Sequence, residues 1–250
     1  MSDVVACIPP EVRRSLRWAR DILRSLLASG NARQCPVCGR PSRRFFRAGR
    51  VPREEALCGH CGALDRHRLV WVFFLRKTNL FDGLRKRMLH VAPDKCIQRN
   101  LRMRLGDGYV TADLEDPRVM VTMDIACMPY SDESFDVIYC SHVLEHVRDD
   151  RRALKEFHRV LKKDGWAVLL VPITAERTRE DPAVEDPVER RRLFGQEDHF
   201  RRYGPDYVER LHEAGFRVSV TGVADLCTAG EAGLFGLTAN SGEIYYCTKG

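Results

Sequence analysis

Cys35-Pro-Val-Cys38 and Cys58-Gly-His-Cys61 are two CxxC turns separated by residues 39–57. Each places two thiolates on one tight turn, and the glycine after the second cysteine supplies the backbone freedom the turn needs. The intervening length falls within the roughly 15–20 residues typical of zinc-ribbon sites. Four thiolates close a tetrahedral cage with no open position for a reactive water, so the expected occupant is a structural Zn²⁺. His60 is an alternative ligand, but the paired spacing favours Cys35, Cys38, Cys58 and Cys61. The remaining cysteines (Cys7, Cys96, Cys127, Cys140, Cys227, Cys247) sit among apolar neighbours and read as small core residues.

A second constellation consists of acids and histidines at the ends of short apolar runs. Residues 88–92 (MLHVA), 109–113 (YVTAD), 119–124 (VMVTMD) and 135–141 (FDVIYCS) each finish at or just before a polar side chain. Open parallel sheets bind ligands beyond the carboxyl ends of their strands. That argument singles out His90, Asp113, Asp124, Ser141 and His142. His199, in the polar stretch QEDHFRRY at 196–203, is a second histidine suited to proton transfer near neutral pH.

Elements able to position these groups follow from periodicity. Strands are expected at 89–92, 109–113, 121–124, 137–141, 166–171, 216–220 and 244–247, and helices at 149–161 and 207–214. Alternation of the two implies an α/β fold with a doubly wound, Rossmann-like, mostly parallel seven-stranded sheet. Residues 65–75 (DRHRLVWVFFL) read as an apolar helix, with Arg66, His67 and Arg68 either solvated at its start or facing a substrate. Residues 174–195 are charged and broken by Pro182 and Pro187, which reads as an insertion or loop flanking the site. Residues 9–29 form a basic amphipathic helix whose apolar face, including Val12, Leu16, Leu23 and Leu26, is expected to pack on the protein itself.

The order of these motifs resembles that of class I S-adenosylmethionine-dependent methyltransferases over about residues 85–220. FDVIYCSHVLEHV at 135–147 and ALKEFHRVLKKDGWAVLLVP at 153–172 carry it most specifically. With the CPVCG turn added, the chain resembles a zinc-ribbon-bearing subgroup of that class. The resemblance implies three segments: a basic amphipathic helix at 1–33, a zinc ribbon at 34–64 and a methyltransferase domain at 65–250. It implies S-adenosylmethionine as cofactor, with Asp113 and Leu114 at the ribose and Asp124 and Ile125 at the adenine. His90, Ala92, Pro93 and Asp94 are then expected around the methionine moiety, and Ser141 and His142, after the fourth strand, as further cofactor contacts. The family's glycine-rich first loop is replaced here by His90-Val91-Ala92-Pro93-Asp94, which contains no glycine. His142 and His199 are the expected catalytic residues, with Arg201 and Tyr203 orienting substrate.

A net charge of +6 in 250 residues, with arginines 43, 44, 47 and 50 near the cysteines, permits nucleic-acid docking but does not require it. The expected acceptor is a small molecule. RNA or protein methylation through the basic zinc module is the alternative, and a non-catalytic zinc-binding interaction protein is a third reading. No run reaches the roughly 18 apolar residues of a membrane span, and residues 4–8 run into Pro9-Pro10 instead of forming a signal-peptide core. A cytoplasmic protein acting without a membrane is therefore expected.

Overall fold

A computed structural model describes residues 10–49 and 51–250; Cys7 and Arg50 lie outside the described residues, as do the side chains of Arg13, Arg14 and Arg17. The chain forms two compact units. One takes the residues up to Val72 together with Cys227–Ser241, and the other takes Phe73–Leu226 with Gly242–Gly250.

The first unit contains the helix Pro10–Leu27 and two small antiparallel hairpins. Strands β1 (Arg33–Gln34) and β2 (Pro41–Ser42) pair around the first CxxC turn, and β3 (Phe46–Ala48) and β4 (Arg53–Leu57) lead into the second. Such short strands hold little core, and one buried cation does much of the binding. Arg68 is fully buried and donates to the carbonyls of Glu55, Ala56, Ala63, Phe235 and Gly236, with its guanidinium 3.9 Å from the Phe45 ring centroid. It does not meet solvent, so it is not solvated at the start of its helix. The helix Ala229–Phe235 opens with a Thr228/Glu231 capping box and closes at Gly236, whose φ of +60° suits glycine. A Cβ there would lie 2.5 Å from the Phe45 ring.

Among the described residues the apolar face of Pro10–Leu27 is exposed, whereas packing on the protein itself was expected. Val12, Leu16, Leu23, Leu26 and Leu27 are all exposed. The helix joins its unit at the C-terminal end: Ala28 is buried and its carbonyl accepts from Arg43 N at 2.7 Å, while Ser25 Oγ meets His60 Nδ1 at 2.8 Å. Amphipathicity fixes which face is apolar, not whether anything packs on it.

The second unit is built on a seven-stranded mixed sheet: β5 (Met88–Val91), β6 (Tyr109–Asp113), β7 (Val121–Thr122), β8 (Phe135–Ser141), β9 (Leu161–Leu170), β12 (Phe216–Thr221) and β13 (Ile244–Lys249). Across the sheet the order is β12-β13-β9-β8-β5-β6-β7. The pairs from β9 to β7 are parallel, and β13 runs antiparallel to both β9 and β12. The order reverses direction at β5, between β6 and β8, and this switch point is where a doubly wound sheet opens a crevice. The central strands are buried on both faces, hence their largely apolar composition. The helix Asp150–Val160 is N-capped by Asp149, whose side chain accepts from Arg152 N, and it buries Ala153, Leu154, Phe157 and Val160.

Three expected elements differ. The strand expected at 121–124 pairs only over Val121–Thr122, because it is the sheet's edge and has one neighbour. The fifth strand starts at Leu161, running straight out of the preceding helix through Gly165, where a Cβ would lie 2.8 Å from Asp136 O. Residues 174–195 are not a plain loop. They hold β10 (Arg179–Glu180), paired with β11 (Arg201–Arg202), and the helix Pro187–Phe194. Cys140, Cys227 and Cys247 are buried as expected, but Cys96 is half-buried and Cys127 exposed. Among the described residues no helix is long and apolar enough to cross a membrane.

Candidate active site

The carboxyl ends of β5, β6 and β8 border an open cavity of about 490 Å³. Ala92, Asp113, Leu114, Asp124, Ile125 and His142 all line it, so residues separated by up to fifty positions converge at the switch point. Asp113 shapes its own loop: Oδ1 accepts from the amides of Glu115 and Asp116 at 2.8 and 2.9 Å. Its Oδ2 accepts none of the hydrogen bonds described and remains open to a hydroxyl-bearing ligand. Asp124 is held similarly, with Oδ1 accepting from Ala126 N at 2.8 Å.

The glycine-free first loop bends without glycine. Ala92 has φ +47°, in the left-handed region, and its N–H is bound to Ala112 O at 2.8 Å. The small side chain lets a ligand approach, while the strained backbone turns the chain off β5. Pro93 and Asp94 do not line the cavity. Pro93 borders a shallow groove with Gln98 and Arg118, and Asp94 precedes the helix Lys95–Leu105 and accepts its first amides through its backbone carbonyl. His90 is likewise remote from the cavity lining. It is fully buried, with Nδ1 2.7 Å from the Tyr109 hydroxyl and its ring 4.7 Å from that of Tyr139. Ser141 is buried, and its Oγ has no partner among the described residues.

His142 sits at the cavity with φ +57°, its amide bound to Leu170 O and its Nδ1 3.5 Å from Glu145 Oε1. His199 is buried one layer behind the lining. Its Nδ1 lies 3.1 Å from Phe194 O, and its ring meets that of His146 edge-on, with centroids 4.6 Å apart. Burial and the neighbouring His146 push His199 below the usual imidazole range.

Arg201 and Tyr203 do not face the cavity, which corrects their expected substrate role. Both are buried. Arg201 donates to the carbonyls of Leu144, Val147 and Arg148 and to Glu180, and the Tyr203 hydroxyl donates to Asp150 at 2.6 Å. Arg210 completes the group, bridging Asp150 and Glu180. This ion network clamps β11 and the loop after β8 to the helix Asp150–Val160. An alternation of charged and aromatic residues in 196–203 cannot distinguish such a clamp from a binding surface.

Asp198 and Phe200, from the 196–203 stretch, also line the cavity, as does Arg190, which was not singled out from sequence. Arg190 stands 4.2 Å from the Phe200 ring centroid and donates to Val184 O. The signal for its helix was present: Asp186 caps Pro187 at the first helical position, with its side chain accepting from Glu189 N, and Gly195 ends the helix in the left-handed region.

In the first unit, one sulfur from each of Cys35, Cys38, Cys58 and Cys61 lies within 4.8 Å of every other. Both nitrogens of His60 are engaged elsewhere, with Ser25 and with Pro41 O, so the four thiols alone form the cluster.

Residues 85–169 match the family described as a methyltransferase domain. The uncharacterized methyltransferase YcgJ of Bacillus subtilis is 38% identical over 74 residues, which is 30% of this chain and 28% of that protein. A demethylmenaquinone methyltransferase of Alkalihalophilus pseudofirmus is 49% identical over 43 residues, 17% of this chain and 18% of that one. The chain thus spans less than a third of the length of these curated relatives. Among solved structures, the Burkholderia thailandensis 1,6-didemethyltoxoflavin-N1-methyltransferase is 13% identical, with 68% of this chain and 74% of that one covered and a TM-score of 0.48. The matched segment runs from just before β5 into β9 and includes the cavity-lining ends of β5, β6 and β8, so this part of the chain is similar to a methyltransferase domain.

Proposed function

We propose that the protein is an S-adenosylmethionine-dependent methyltransferase acting on a small-molecule acceptor, with a structural zinc ion in the four-cysteine cluster. The observation that carries this reading is the convergence of Asp113, Leu114, Asp124, Ile125, Ala92 and His142 on one cavity at the switch point. Two acids on adjacent loops suit a nucleoside: Asp113 offers Oδ2 to ribose hydroxyls and Asp124 faces the adenine side, with Leu114 and Ile125 as apolar walls. Ala92 presents minimal bulk where the methionine moiety would approach. When bound, S-adenosylmethionine supplies an already activated methyl group, so the protein's contribution is to position an acceptor and exclude water.

His142 lines the cavity, which supports a role for it in taking a proton from an acceptor. His199, the other candidate base, lies behind the lining with its ring against that of His146. The loop-and-helix segment holding Arg190 and Phe200 closes one side of the cavity and is the region that would set acceptor selectivity. The cavity suits a compact acceptor better than a polymer. The four-cysteine cluster fits zinc because its sulfurs already converge and no other ligand competes, and a closed S₄ site has a structural role.

Isothermal calorimetry with S-adenosylhomocysteine tests the cofactor assignment. Micromolar binding is expected; no binding to well-folded, zinc-loaded protein would refute it.

A further inference from the structure

We propose that Glu145, His146 and His199 are the protein ligands of a second divalent metal ion, distinct from the cysteine site. One ligand atom from each lies within 4.8 Å of the others. Two of the three residues are buried and each carries an unpartnered ligand-capable atom: Glu145 and His199 are 2% and 6% exposed, and neither Glu145 Oε2 nor His199 Nε2 has a hydrogen-bond partner among the described residues. A buried carboxylate without a full complement of partners is costly. Among the described residues, the one ion-pair partner of Glu145 is His142.

The tautomers suit metal binding. A carbonyl only accepts, so the contact with Phe194 O fixes the proton of His199 on Nδ1 and leaves Nε2 with a free lone pair. Asp198 Oδ2 stands 3.0 Å from His146 Nδ1, an arrangement in which an outer carboxylate orients a metal-binding imidazole. The scaffold is firm on both sides. Phe200 N donates to Glu145 O at 2.8 Å, and Arg201 holds the Leu144 and Val147 carbonyls, so the two segments carrying the ligands are locked together.

Two histidines and one carboxylate form a donor set for Zn²⁺ or another first-row divalent ion with open coordination positions, unlike the closed S₄ cluster. His146 and Asp198 border the cavity, so those positions lie on its side. What the ion binds there rests on the methyl-transfer reading: an acceptor that offers oxygen, such as a hydroxyl, would complete its coordination beside His142.

The test is zinc content after loading full-length protein with Zn²⁺ and desalting, together with an anomalous difference map from zinc-soaked crystals. Wild type is expected to hold one more zinc per chain than Glu145→Gln or His199→Ala, and the map to show a peak between the three side chains. Equal zinc content in wild type and variants, or a map with density at the cysteines and none at the triad, would overturn the proposal. If a variant does not fold, the wild-type map decides alone. S-adenosylhomocysteine calorimetry on the same samples separates the two ideas. Lost cofactor binding in wild type would sink the methyltransferase reading and leave the metal site standing, whereas intact binding with no triad zinc would do the reverse.

Discussion

Asp113 and Ala92 show how single residues shape the cavity. Asp113 spends one oxygen on its own loop and keeps the other for a ligand, so Asp113→Ala should remove ligand hydrogen bonds to a charged group worth about 1.5–3 kcal/mol each. Affinity for S-adenosylhomocysteine should fall at least tenfold with the fold intact, and unchanged calorimetric affinity would defeat the ribose assignment. Ala92 carries a left-handed backbone with a Cβ attached. Ala92→Gly should relieve that strain and raise stability by about 1 kcal/mol, less whatever the extra freedom of unfolded glycine costs. A lower melting temperature in Ala92→Gly would show that the side chain makes contacts worth more than the strain. The absent glycine in this loop is thus a tolerated substitution at a glycine-like position.

Between elements, the Asp150–Glu180–Arg201–Arg210–Tyr203 network does what no single helix or strand can. Arg210 and Asp150 are both buried and meet at 2.9 Å. Removing one partner leaves an uncompensated buried charge, so Asp150→Ala should cost about 3–5 kcal/mol. Chemical denaturation would test this; a loss below 1 kcal/mol would mean that solvent reaches the site. Glu180 gives the network a pH signature. Burial would raise its pKa, but hydrogen bonds from Arg210 and Arg201 prevail and hold the carboxyl at about 2. Its folded value lies below the unfolded glutamate value of about 4.3, so its contribution is complete above that pH and disappears as pH falls toward 2. Melting temperature should therefore drop less steeply between these limits in Glu180→Gln than in wild type. Parallel curves would assign the acid sensitivity to other carboxylates.

Across the whole molecule, two units depend on different kinds of cohesion. The sheet unit has a large apolar core, whereas the cysteine unit has hairpins only two to five residues long and relies on polar devices. Cys35→Ser or strong chelation should unfold that unit, because metal binding and folding are coupled in small metal modules. Zinc content and limited proteolysis would read the effect, and full zinc retention in Cys35→Ser would contradict a four-cysteine site. Arg68→Met should also loosen it, since five carbonyls lose a shared donor.

Much was determined by the sequence alone. CxxC spacing placed four cysteines in one cluster, apolar runs announced the parallel sheet, and acids at run ends pointed to Asp113 and Asp124, which line the cavity. These signals are local or periodic, so they survive without coordinates. The direction of a side chain does not. His90 follows the same strand pattern yet turns into the core beside Tyr109 and Tyr139, and Arg201 and Tyr203 lie in a polar stretch yet serve a buried clamp. The short helix bearing Arg190 had cap residues, but its prolines and charges mask them. Only tertiary packing decided that Glu145, His146 and His199 meet, because the contact joins segments more than fifty residues apart and depends on Arg201 holding them in register.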